Sequence, residues 1–192
     1  NKVIALQATP AATPGPETCD VAPRRVLELI ALLGPPLANG QVLEPQPLRP
    51  GSPADEATTN AITAVVRELE ACFNAGDLLR VYALFSDDQF RQMPNTEEIV
   101  EELTALETAT PTPAPAGQRQ MLTGPWHVEV LDDGRVIAAV RFGFEDANLV
   151  SSIKALFFVR QDGSWLIQEI ADLVWVEGES GPVAVEDVVG SP

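Results

Sequence analysis

Proline placement divides this chain more sharply than any other feature. Pro10, Pro14, Pro16, Pro23, Pro35, Pro36, Pro45, Pro47, Pro50 and Pro53 make up ten of the seventeen prolines, whereas only Pro94 falls between Pro53 and Leu106. Each proline removes a backbone N–H and steers the preceding residue away from helical geometry. Residues 1–53 therefore read as an extended, proline-rich arm, residues 54–176 as one folded domain, and residues 177–192 as a tail able to add an edge strand. At 192 residues, one core with added segments is the expected arrangement.

Inside the arm, residues 2–8 form a short apolar stretch with Val3, Ile4 and Leu6, a strand only where some sheet edge accepts it. An Ala/Thr/Pro tract follows at residues 7–16, of the kind found after export signals or between a surface anchor and a domain. Residues 23–33 predict a short helix, with Pro23 in its first turn and Val26, Leu27, Ile30 and Leu33 as its apolar stripe. Gly34 and Pro35 stop it, and residues 35–53 read as a connector.

There are two cysteines, Cys19 at the end of the flexible tract and Cys72 late in an amphipathic helix. They allow a single intramolecular pairing, which in an oxidising compartment closes a loop of about 50 residues and contributes on the order of 4 kcal/mol. Two buried free thiols are the alternative. Metal binding is disfavoured, because neither cysteine has a further Cys or His at ligand spacing.

Twelve basic against 28 acidic residues give a net charge of −16, which repels nucleic-acid phosphates and anionic headgroups. Nucleic-acid and membrane-surface binding are thus not expected, and with no run of about 20 apolar residues neither is membrane insertion. No calcium-type Asp-x-Asp-x-Asn-Gly loop accompanies the acidity, and solubility accounts for it.

In the domain, Ile62, Val65, Val66, Leu69, Cys72 and Phe73 recur at helical spacing between Asp55 and Gly76. Asp77 caps a second helix over residues 78–85, and Asp87 or Asp88 starts a short turn around Phe90. Asn95 with Glu98 resembles a capping box opening a helix to Leu106, after which Pro111, Pro113 and Pro115 interrupt regular structure. The period then becomes strand-like. Residues 126–131 and 135–144 flank a turn at Asp132, Asp133 and Gly134, and residues 152–160 and 164–175 flank Gln161, Asp162 and Gly163. Helices followed by hairpins imply an α+β domain.

The helix ending in Asn74, Ala75, Gly76 and Asp77, followed by Leu84, Phe85, Ser86, Asp87 and Asp88, resembles the opening of the NTF2-like (SnoaL-like, cystatin-like α+β) superfamily. Residues 158–167, from Phe158 through Gly163 and Trp165, resemble its last hairpin. The resemblance covers residues 54–175 and implies a cone: a curved antiparallel sheet with the N-terminal helices packed on its inner face. It also implies an apolar pocket at the open end, around which enzymatic members place Asp, His or Tyr.

Candidate pocket-lining residues on that basis are Tyr82, His127, Trp165 and Asp172. His127 alternates with its strand neighbours and reads as an exposed or core-edge histidine, and Tyr82 as a packing residue with a satisfied hydroxyl. An isomerase-like oxyanion site would need Tyr82 and Asp172 to meet, which their spacing does not establish. Neither a Gly-x-Ser-x-Gly elbow, a phosphate-binding glycine loop nor a His-Glu-x-x-His motif is present.

The expectation is therefore a bacterial protein, secreted or held at the cell surface, that is not an enzyme and needs no cofactor. Its expected partners are other copies of itself, joined by the arm through strand addition and, if head-to-tail, into a filament. The alternatives are a small apolar ligand in the cone or a dehydratase/isomerase activity.

Overall fold

A computed structural model describes residues 18–35, 51–146, 151–175 and 182–185. The apolar arm residues Val3, Ile4 and Leu6 lie outside the described residues. The elements run α1 (Val26–Leu32), β1 (Ser52–Pro53), α2 (Glu56–Ala75), α3 (Leu78–Ala83), α4 (Asp87–Gln92) and α5 (Glu97–Leu106). They continue as β2 (Gln120–Val130), β3 (Val136–Phe144), β4 (Ser152–Gln161), β5 (Ser164–Trp175) and β6 (Pro182–Val185). The chain is α+β, with one antiparallel sheet whose spatial order follows the sequence from β1 to β6.

Local chemistry sets the helix ends. The Asp55 carboxylate accepts from the Thr58 N–H at the start of α2, which ends at Gly76 in the left-handed region (φ 69°). Asp77 caps α3 at once by accepting from the Arg80 N–H. Asp87 opens α4 as expected, with Ser86 as its cap, and Thr96, rather than Asn95, caps α5. In each case a hydroxyl accepts from the N–H three residues on, and the acids that follow fill the first turn, beside the positive end of the helix dipole. The arm helix is shorter than residues 23–33: Arg24 donates its N–H to the Leu79 carbonyl, which keeps Pro23 and Arg24 out of α1.

Three apolar clusters hold these elements. The main one joins Ile62, Val66, Leu69 and Cys72 of α2 to Val136, Ala138 and Val140 of β3, Leu156 and Phe158 of β4, and Ile167 of β5. On the opposite sheet face Ile137, Ala155, Phe157 and Ala171 form a second cluster, so residues 136–138 of β3 and 155–158 of β4 are buried on both sides. A third gathers Val26 and Leu29 of α1, Phe90 of α4 and Leu103 of α5. Tyr82 and Phe85 touch both the first and the third, coupling the helical layer to the sheet.

The α3–α4 junction also attaches directly to β5: Ser86 donates its N–H to the Ile167 carbonyl at 2.8 Å, and Ile167 donates its N–H to Leu84 at 2.8 Å. The proline-rich segment after α5 is likewise pinned. Ala114 donates to the Asn74 carbonyl, and a Cβ on Gly76 would lie 2.1 Å from the Thr112 carbonyl oxygen. No helix among the described residues is long and apolar enough to cross a membrane.

Candidate functional site

Cys19 and Cys72 form a disulfide, with their Cα atoms 4.7 Å apart. The bridge ties Cys19, within the arm, to the last turns of α2, but it does not act alone. The Glu68 carboxylate, one helical turn before Cys72, accepts from the backbone N–H groups of Asp20 and Val21. Arg80 donates to the Cys19 carbonyl at 2.6 Å while pairing with Asp77. Further along, Arg24 pairs with Asp87 at 2.8 Å, donates to the Phe85 carbonyl and lies over the Phe90 ring. Residues 19–24 thus form a strap held by one covalent and several charge-assisted contacts.

Sequence reasoning missed Glu68, Arg80 and Arg24. A signal existed in their scarcity and position: only 12 residues are basic, and two of them flank apolar stripes at helix ends. Their carbonyl partners, however, lie 61 positions away in the chain. Glu68 and the two sulfurs bring three potential ligand atoms within 4.8 Å of one another, but the sulfurs are bonded to each other.

The remaining candidates are dispersed. Tyr82 is half-buried edge-to-face against Phe90, with ring centroids 5.7 Å apart. Burial and the nearby Glu102 charge raise the pKa of its hydroxyl. Asp172 pairs with Lys154 across β4 and β5 at 3.0 Å, so its partner is a lysine and not Tyr82. Trp165 packs at the edge of the main core with the Arg160 guanidinium 6.0 Å from its ring centroid.

His127 is exposed, but not through simple alternation. It has φ 52° and lies within the second of two register shifts that interrupt β2, one on either side of Trp126. The first shift spans the cis Gly124–Pro125 bond, and Trp126, between the two shifts, is 38% exposed. Met121 (49% exposed) and Ile153 (46%) join it among the exposed large apolar side chains of the sheet. A separate open groove of about 460 Å³ runs along α1, lined by Pro23, Val26, Leu27, Ala31 and Leu79 with Glu107 at its side.

The sheet edges matter for any strand-addition reading, because unpaired backbone groups are what an incoming strand needs. Along β2, the Asn74 side chain holds both backbone polar groups of Gln120, and Glu70 accepts from the Leu122 N–H. Ala54 donates to the Val128 carbonyl, and β1 pairs with Glu129 and Val130. On the far side, β6 pairs with residues 172–175 of β5, and Leu84 with Ser86 engages Ile167. The chain matches no family model, no curated protein and no solved structure.

Proposed function

We propose that this chain is an exported, non-catalytic interaction protein built on an NTF2-like domain, with its N-terminal arm as the assembling element. One observation carries the reading: the helix-facing side of the sheet is filled. Ile62, Val66 and Leu69 meet Val140, Leu156, Phe158 and Ile167 there, each at most 1% exposed. The side chains that α2 and the sheet present to each other among the described residues are apolar and buried. The polar candidates Tyr82, His127 and Asp172 serve packing, a bulge and an ion pair in separate places. Such a domain acts through its surface.

Export is supported by the disulfide, since such bridges persist in oxidising compartments. The edge geometry narrows how the arm would act. With β2 engaged by Asn74, Glu70 and β1, the edge that suits strand addition among the described residues is the outer side of β6, in the same copy or a neighbour. Molecular mass across a concentration series, for the full chain and for a chain lacking residues 1–17, tests this. Concentration-dependent growth of the full chain alone is expected, and two monomers at every concentration would end the assembly reading.

The groove along α1 favours a second reading, binding of a small apolar ligand beside the strap rather than in the sheet interior. Leu27, 74% exposed, is its most accessible apolar wall. A solvatochromic apolar dye that binds the native chain and is displaced by Leu27→Asp supports this reading. Equal dye binding by both proteins removes it.

A further inference from the structure

The Cys19–Cys72 bridge joins two sulfurs in unequal surroundings. Cys72 is fully buried in the main core, whereas Cys19 is partly exposed at its margin. A carboxylate oxygen of Glu68 lies 3.9 Å from Cys72 Sγ, and the carboxylate and both sulfurs are mutually within 4.8 Å. On the other side, Arg80 donates to the Cys19 carbonyl. The cation thus stands on the side of the accessible cysteine and the apolar core around the buried one.

Reduction of a disulfide begins when a thiolate attacks one sulfur in line and expels the other as a thiolate. Attack on Cys72 would expel the better-placed leaving group, Cys19, but no reagent reaches Cys72 in the folded chain. Attack on Cys19 is sterically open, yet it must expel Cys72 as an anion into apolar surroundings beside the Glu68 carboxylate. Burial and a neighbouring negative charge both disfavour that thiolate, and the same carboxylate repels the incoming one. Each route is therefore obstructed at a different step.

The geometry points to Glu68 as a positioning and protecting residue that makes the Cys19–Cys72 bridge a permanent clasp, resistant to thiol exchange while the chain stays folded. Its backbone contacts to Asp20 and Val21 hold Cys19 against α2, and its charge guards the sulfurs. This role does not depend on what the domain binds.

Dithiothreitol provides the test on the intact oxidised chain. Its first thiolate attacks Cys19 Sγ, the S–S bond breaks, and Cys72 leaves as a thiolate that takes a proton from water. Its second thiolate then closes the cyclic disulfide and releases Cys19, so one dithiol is oxidised and one bridge reduced. Free thiols are counted over time by alkylation and mass measurement under native conditions. Glu68→Gln removes the charge but keeps an oxygen that can accept from Asp20 and Val21. It is expected to be reduced about three- to tenfold faster, as a better leaving thiolate implies. Val140→Ala, far from the clasp in sequence and lowering stability through the core, controls for reduction through unfolding. Equal rates for wild type and Glu68→Gln, or equal acceleration by Glu68→Gln and Val140→Ala, would overturn the assignment.

Discussion

Asn74 closes the end of β2 by pairing with Gln120 through both halves of its amide. Its Nδ2 donates to the Gln120 carbonyl at 2.9 Å, and its Oδ1 accepts from the Gln120 N–H at 2.7 Å. A helix side chain thereby occupies the positions a neighbouring strand would take, and it removes two unpaired backbone groups from the sheet edge. Asn74→Ala is expected to cost about 1–3 kcal/mol in urea unfolding, because both groups lose their partner in a part-buried place. The same variant should associate more readily at high concentration, read by light scattering.

Glu70, one turn earlier, holds the next outward N–H of the same strand, that of Leu122. Burial raises its carboxyl pKa above the ordinary 4.5, outweighing the lowering by the Leu122 N–H and by Arg67. The folded state therefore binds this proton more tightly than the unfolded state. In the window just above 4.5 that term makes stability fall as pH rises, and above the window the loss is constant. Glu70→Gln keeps an acceptor for Leu122 without the buried charge. It is expected to be more stable than wild type at pH 7, with the difference shrinking as pH drops through the window in a pH series of urea midpoints.

Gly76 carries two constraints at once, a φ of 69° and the Thr112 carbonyl 2.1 Å from where a Cβ would stand. Gly76→Ala must adopt the left-handed region and also push the segment around Thr112 off the end of α2. A loss of roughly 2 kcal/mol or more is expected in thermal or chemical unfolding. Gly163→Ala, at φ 85° with nothing near its Cβ position, should lose less, since only the backbone term applies.

Replacing both cysteines with serine removes the covalent link but leaves Glu68, Arg80 and Arg24 in place. The expected cost is about 4 kcal/mol or less, from the restored freedom of a loop of 53 residues in the unfolded chain. Hydrogen exchange should still show protection at the amides of Asp20 and Val21, whose acceptor is Glu68. Exchange there at the unfolded rate would mean that the polar contacts cannot hold the strap alone.

Much of the architecture is readable residue by residue. Gly76 followed by Asp77 stops one helix and starts the next through conformations those two side chains favour by themselves. Asp162 and Gly163, both at positive φ between the paired residues Gln161 and Ser164, make a two-residue turn within the Gln161 to Gly163 turn that the sequence predicts, Gln161 itself joining β4. The paired cysteines are likewise one of the two readings the sequence leaves open. The cap of α5 fell at Thr96, one residue from the expected Asn95, because the adjacent amide and hydroxyl side chains compete for the same N–H groups.

The start of β2 was not readable. Residues 120–125 contain Gly124 and Pro125, which argue against a strand, yet they extend it because an edge strand needs partners on one side only and Asn74 supplies the other. The role of His127 changed for the same reason: a bulge, set by how β2 meets β3, replaced the alternation that its neighbours implied.

What the sequence determined by itself was the set of local conformations: turns, caps, helix stripes and the division between proline-rich arm and domain. These depend on residues a few positions apart. Only the tertiary structure decided that Glu68 and Arg80 would clasp Cys19, that Asn74 would meet Gln120, and that Asp172 would answer to Lys154 instead of Tyr82. Those pairings join positions 18 to 61 apart, and no dihedral preference specifies them. They follow from packing α2 against the sheet, which brings their partners within reach.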